Sequence, residues 1–116
     1  MITDEEDVYW YKAKVVSVYD GDTIRCDIDL GFYTWIKNQS IRLIGIDTPE
    51  LRGDERPDGL VVKQIVSDLI LDKHVLLKTY KDSTGKFGRW LAVIFYEGLN
   101  INQFLLDGGN AKPYNG

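Results

Sequence analysis

An α+β domain, mainly β, is what the sequence predicts, and three observations carry the prediction. Five segments are rich in β-branched and aromatic residues, one segment repeats apolar residues every three or four positions, and turn signals such as Asp20-Gly21 and Glu97-Gly98 separate them. At 116 residues, with 44% apolar and 28% charged positions, the chain is large enough to bury one core and too apolar for a disordered polymer.

Taken in order, Lys12–Tyr19 and Thr23–Leu30 favour strands. In the second, Ile24, Cys26, Ile28 and Leu30 alternate with Arg25, Asp27 and Asp29, the period of a half-buried strand. Asp20-Gly21 between them reads as a hairpin turn. Residues 31–39 are either a long aromatic loop or the continuation of a curved strand, and Ser40–Ile46 is a third, strongly apolar strand completing an antiparallel meander. Leu51–Gly59 has the composition of a loop. A helix begins near Asp58, with Val61, Val62, Ile65, Val66, Leu69 and Ile70 on one face and Lys63, Gln64, Ser67 and Asp68 on the other. His74–Tyr80 is a fourth strand, Lys81–Lys86 a turn and Phe87–Tyr96 a fifth strand. Asn100 caps a short helix bearing Ile101, Phe104, Leu105 and Leu106, ended by Gly108 where a left-handed residue is wanted, and the tail from Asn110 reads as irregular. Five antiparallel strands, a helix between the third and fourth, and a short C-terminal helix match the element order of an OB-fold barrel.

The net charge of −4 argues against a protein that coats polyanions through a general positive field. Asp4, Glu5, Glu6 and Asp7 carry the whole excess, so residues 1–7 read as an acidic tail and residues 8–116 as one domain balanced at fourteen acidic and fourteen basic residues. Between Lys78 and Arg89 the balance is locally positive. The single cysteine, Cys26, excludes an intramolecular disulfide and cannot by itself form a thiolate metal site. Met1 precedes acidic residues rather than a basic and apolar leader, and no run approaches 18 apolar residues, so neither a signal peptide nor a membrane span is visible. The chain reads as cytoplasmic as it stands, and as secreted if a leader has been removed.

Three short segments carry chemistry. In Asp20-Gly21-Asp22-Thr23 the hairpin accounts for Asp20 and Gly21 but leaves Asp22 at the start of an apolar strand without a structural reason, and so a candidate ligand. Arg42 interrupts Ile41–Ile46 on the face of Ile44 and Ile46; such an arginine needs an anion, either a carboxylate in a structural ion pair or a phosphate matched by its planar donors. Asp47-Thr48-Pro49-Glu50 has the form of a capping box, yet residues 51–59 show no helical period, which leaves Asp47 and Glu50 for another task. Arg89, after the positive turn, is by itself an ordinary strand-end charge.

The motifs DGDT, RLIGIDTPE and then GR with LA, in that order over about residues 12–112, resemble the signature of the staphylococcal nuclease family. The resemblance implies a calcium-dependent nuclease acting on DNA and RNA to leave 3′-phosphates. It implies Asp22 and Asp47 as calcium carboxylates, Thr48 as a backbone-carbonyl donor, Glu50 as general base, and Arg42 and Arg89 as the arginines gripping the scissile phosphate. Lys86 corresponds to a lysine near the nucleotide's terminal phosphate and Tyr114 to a tyrosine that stacks on a base. The alternative is a noncatalytic OB-type module binding nucleic acid or protein. Against the family pattern, the loop after Glu50 is acidic, with Asp54, Glu55 and Asp58 outnumbering Arg52 and Arg56; Phe87 stands where a tyrosine is usual; and a long C-terminal helix is missing, leaving monomer and dimer both open. His74 reads as a surface or core residue. Trp10, Trp35 and Trp90 read as core or barrel-rim residues, a base contact by Trp35 being the second reading.

Overall fold

The computed structural model describes residues 8–84 and 89–115, without the side chains of residues 81–84; the acidic segment 1–7 and Lys86 lie outside the described residues. Five long strands build the barrel: β1 (Val8–Asp20), β2 (Thr23–Asp29), β3 (Trp35–Leu43), then β5 (His74–Thr84) and β6 (Trp90–Tyr96), with the two-residue β4 (Ile46–Asp47) between β3 and β5. Helix α1 (Arg56–Ile70) lies between β4 and β5; β7 (Leu99–Asn100), α2 (Ile101–Asp107) and β8 (Lys112–Pro113) follow β6. The sheet runs β3-β2-β1-β5-β6-β7, and β6 returns to pair with β3, which closes an OB-like barrel.

The closing pair corrects the all-antiparallel expectation. β3 and β6 run parallel, with Ile41 opposite Trp90, Arg42 opposite Leu91 and Leu43 opposite Ala92. Every other long pairing is antiparallel. Five strands joined in this order cannot close with antiparallel neighbours throughout, because an odd ring must contain one like-directed pair. That seam has no local signature, since its partners lie far apart in the chain.

Strand alternation sends Ala13, Val15, Ile24, Cys26, Ile41, Leu43, Leu77, Ala92 and Ile94 inward, all at most 1% exposed. Val62, Val66 and Ile70 of α1 and Ile101 and Leu105 of α2 join the same buried core. Removing each such aliphatic side chain from water stabilises the fold by about 1.5–3 kcal/mol. Burial, helped by the charge of Asp27, pushes the Cys26 thiol up to about 12, leaving it unreactive.

Pro57 sits in the first turn of α1, where its missing N–H costs nothing. Gly59 is there for space: a Cβ would run into the carbonyl oxygens of Glu50 and Pro49. The helix start therefore presses on the backbone of the segment carrying Glu50. Gly21 has a matching reason, since a Cβ there would stand 2.5 Å from Val62 and 2.9 Å from Thr48.

Several boundaries differ from expectation. β5 continues to Thr84, which pairs with Trp90 beyond a bulge, so the expected Lys81–Lys86 turn is strand through residue 84. Asn100 caps α2 as expected by accepting from Gln103 N at 3.0 Å. Gly108, however, keeps a right-handed φ of −83° because its N–H still bonds Phe104 O, and the positive φ of 72° falls on Gly109. The tail is not irregular throughout: β8 pairs with β4, Ile46 opposite Pro113 and Asp47 opposite Lys112.

Residues 31–39 divide between both readings, loop to Thr34 and strand from Trp35. Thr34 N bonds Gly31 O at 2.9 Å around Phe32 and Tyr33, whose φ values of 54° and 60° place two aromatic residues where a tight hairpin turn usually has Asn-Gly. Both are fully exposed. Trp10, Trp35 and Trp90 are 51%, 40% and 44% exposed, so they belong to the surface and rim rather than the core. No helix among the described residues is long and apolar enough to cross a membrane.

Candidate functional site

At one end of the barrel the β1–β2 turn, the end of β3, the start of β6 and the segment after β4 surround a cleft of about 590 Å³. Asp22, Arg42, Asp47, Thr48, Glu50 and Arg89 all line it, joined by Tyr19, Asp20, Leu51 and Arg52. Residues spread from position 22 to position 89 thus meet in one place.

Asp22 is placed by backbone as well as side chain. Its carbonyl accepts from Leu43 N at 2.8 Å, tying β2 to the end of β3. Its carboxylate, 9% exposed, accepts from Thr48 N at 3.1 Å and Thr23 Oγ1 at 3.2 Å. The Arg42 guanidinium, 11% exposed, lies 3.4 Å from Asp22 Oδ2 and 3.7 Å from Asp47 Oδ1. It also donates to Leu43 O at 2.7 Å, and the Tyr114 ring covers it with the centroid 5.5 Å away. Tyr114 reaches that position through the β4–β8 ladder, its N–H bonding Gly45 O at 2.9 Å.

Both sequence readings of Arg42 concern the same atoms. It is the internal counter-ion of two carboxylates, and it also lines the cleft. Asp47 is more exposed than Asp22, at 56% of its side chain. Thr48 is 5% exposed and its Oγ1 makes no hydrogen bond among the described residues. Arg89 Nη1 donates to Thr23 Oγ1 at 3.4 Å, bringing this second guanidinium alongside the Asp22 turn.

Glu50 is held at its backbone, where its N–H donates to Glu55 Oε1 at 3.0 Å, and at its side chain, where Oε2 accepts from Arg52 Nε at 3.0 Å. The capping-box interpretation of residues 47–50 is not what forms: a 3₁₀ turn at Gly53–Glu55 and then α1 follow, and the side chain of Glu55 serves the Glu50 N–H.

Asp20, Arg52, Glu55 and Asn102 were not singled out as site residues by the sequence. Asn102, 5% exposed, donates to Ile44 O and Ala92 O and accepts from Ile94 N, tying α2 to the middle of β6 and to the residue that follows β3. Asp20 looked like turn chemistry alone, but burial first, then the hydrogen bond and charge of Asp22, raises its carboxyl from 3.8 to about 7. Folded Asp20 therefore holds its proton between about pH 4 and pH 7, where the unfolded chain releases it, so its contribution to stability falls as pH rises through that window. Asp20→Asn should remove this slope. Thermal unfolding in chelating buffer should show the variant's midpoint gaining a few degrees on the parent between acidic and alkaline pH; parallel curves would show that Asp20 titrates normally.

A family model described as staphylococcal nuclease homologue matches residues 40–115, a span that includes Arg42, Asp47, Thr48, Glu50 and Arg89 and begins after Asp22. The chain is similar to a protein of Haemophilus influenzae described as an uncharacterized endonuclease, 33% identical over 102 residues, covering 88% of this chain and 52% of that protein. It is similar to a thermonuclease of Staphylococcus hyicus, 31% identical over 102 residues, covering 85% of this chain and 57% of the other. An uncharacterized endonuclease of Escherichia coli O157:H7 is 32% identical over 103 residues, covering 88% and 60%. The chain thus spans little more than half the length of these relatives.

Proposed function

Since the chain belongs to the staphylococcal nuclease family, we propose that it is a calcium-dependent nuclease hydrolysing DNA and RNA phosphodiesters to leave 3′-phosphates. The observation supporting this most directly is the bracketing of Arg42 by Asp22 and Asp47 in a cleft that also holds Glu50 and Arg89.

The donor chemistry fits calcium. Asp22 and Asp47 offer hard carboxylate oxygens within 4 Å of one guanidinium nitrogen, a position already demanding positive charge, and the orphaned Thr48 hydroxyl marks an adjacent polar gap. Among the described residues no three acidic, His or Cys side chains converge, so the protein's share would be the two carboxylates and the Thr48 carbonyl, with water and substrate oxygens filling the remainder. Bound there, calcium supplies Lewis-acid polarisation of the phosphodiester.

The other roles belong to the chain itself. Arg42 and Arg89 bind the non-bridging phosphate oxygens and stabilise the charge that grows on them during attack. As the phosphate takes the guanidinium, Arg42 loosens its pairing with Asp22 and Asp47. Glu50 takes a proton from the attacking water, the water oxygen bonds to phosphorus, the bond to the 5′-oxygen breaks, and solvent protonates that oxygen. The Tyr114 ring over Arg42 supports its reading as the residue that stacks on the adjoining base, and Lys86 is assigned to phosphate binding by the resemblance alone.

The test is digestion of single-stranded and plasmid DNA and of RNA with calcium and with chelator, followed by end-group analysis. Cleavage that requires calcium and leaves 3′-phosphates is expected. Inactivity at every calcium concentration and pH would overturn the proposal and leave a binding module; cleavage leaving 5′-phosphates would overturn the assigned bond.

A further inference from the structure

At the barrel end opposite the catalytic cleft, the starts of β1, β3 and β5 and the end of β6 enclose a groove of about 710 Å³. Its apolar wall is Trp10, Trp35, Leu76 and Phe95, with the Trp10 and Phe95 rings 5.6 Å apart. Lysines stand over these rings. Lys78 Nζ lies 5.6 Å from the Trp10 centroid and 5.9 Å from that of Tyr80, and Lys37 Nζ lies 5.3 Å from that of Trp35. Lys37 also reaches Asp27 Oδ2 at 3.5 Å, and Lys12, Asp29 and Glu97 complete the groove's charged edge.

We propose that this groove is a second binding surface for single-stranded nucleic acid, the indole rings stacking on bases and Lys78, Lys37 and Lys12 meeting the phosphates. It takes the ligand's chemistry from the nuclease reading above. The pairing of ring and ammonium selects this occupant over an apolar protein face. A dry partner would have to desolvate the lysines without compensation, whereas a nucleic-acid strand presents a π-face and an anion at every nucleotide.

The charge balance of the domain supports the same choice. Residues 8–116 are neutral overall and the loop beside the cleft is acidic, so long-range attraction contributes little to holding a strand. Stacking is sequence-tolerant and does not depend on net charge. The groove also lies beyond a short substrate's reach. The seven residues of β2, Thr23–Asp29, separate its Asp29 end at the groove from Asp22 by about 23 Å at roughly 3.3 Å per residue.

The experiment is oligothymidylate binding to the full chain in chelator, read by tryptophan quenching and by anisotropy of a labelled strand, beside calcium-dependent hydrolysis of a nitrophenyl ester of thymidine phosphate. Trp10→Ala with Trp35→Ala should weaken binding about tenfold or more and abolish most of the quenching, while hydrolysis of the small ester is unchanged. Lys78→Gln, which leaves the rings in place, should weaken binding by a few-fold and so keeps the test decisive if the double variant fails to fold. Unaltered affinity in either folded variant overturns the proposal, as does loss of self-association in sedimentation with oligonucleotide binding intact. Failure of ester hydrolysis in the parent, with binding and its loss as expected, would count against the nuclease reading alone.

Discussion

Arg42→Ala should lower turnover by a factor on the order of 10³ and destabilise the fold by about 3 kcal/mol. Two independent losses coincide. In catalysis the variant lacks a guanidinium for the charge developing on the phosphoryl oxygens. In the fold, Asp22 stays buried beside Asp47 with its counter-ion removed. Breaking a buried pair from one side costs about 3–5 kcal/mol, and the bonds to Asp22 from Thr48 N and Thr23 Oγ1 place this case at the lower end. Arg42→Lys separates the two effects: it keeps a cation near both carboxylates but loses the fork and its bond to Leu43 O. Denaturant unfolding should show the lysine variant within about 1–2 kcal/mol of the parent, and digestion should show it still impaired about 10²-fold. Parent-like turnover in the lysine variant would remove Arg42 from transition-state stabilisation.

Glu50→Gln should cut turnover by a factor on the order of 10² or more with almost no change in unfolding midpoint. The amide has the carboxylate's shape, can still accept from Arg52, and leaves the Glu50 N–H bond to Glu55 untouched. Its side chain is 59% exposed, so no core contact is lost. Unchanged turnover would assign proton removal to another group or to solvent.

What could be read from the sequence divides along physical lines. Arg42 and Asp22 were visible because a charge within an apolar strand is expensive without a partner, and the fold supplies each with the other. Asp47 and Glu50 were visible because a capping pattern led into residues with no helical period. Asp20 stayed hidden: a turn explained it fully, and only the folded packing brings its carboxyl against that of Asp22. Asn102 is one polar residue in a short helix, with nothing in its neighbours to say that three backbone groups of distant strands depend on it. The barrel's strands followed from alternation, but the parallel β3–β6 pair and the two-residue β4–β8 ladder are products of closure, too short or too distant in sequence to leave a pattern.

The parallel seam also sets a timetable. Its three residue pairs join positions roughly fifty apart, whereas the β1–β2 and β2–β3 hairpins close over short loops, so the seam is expected to form late in folding. Arg42 lies within it and Arg89 immediately precedes it. A chain with both hairpins formed and the seam open has its two cleft arginines apart, so on the proposed mechanism hydrolysis requires the closed barrel. On heating, opening of this short ladder should silence the enzyme while most of its strands remain paired, so inactivation runs ahead of the loss of secondary structure.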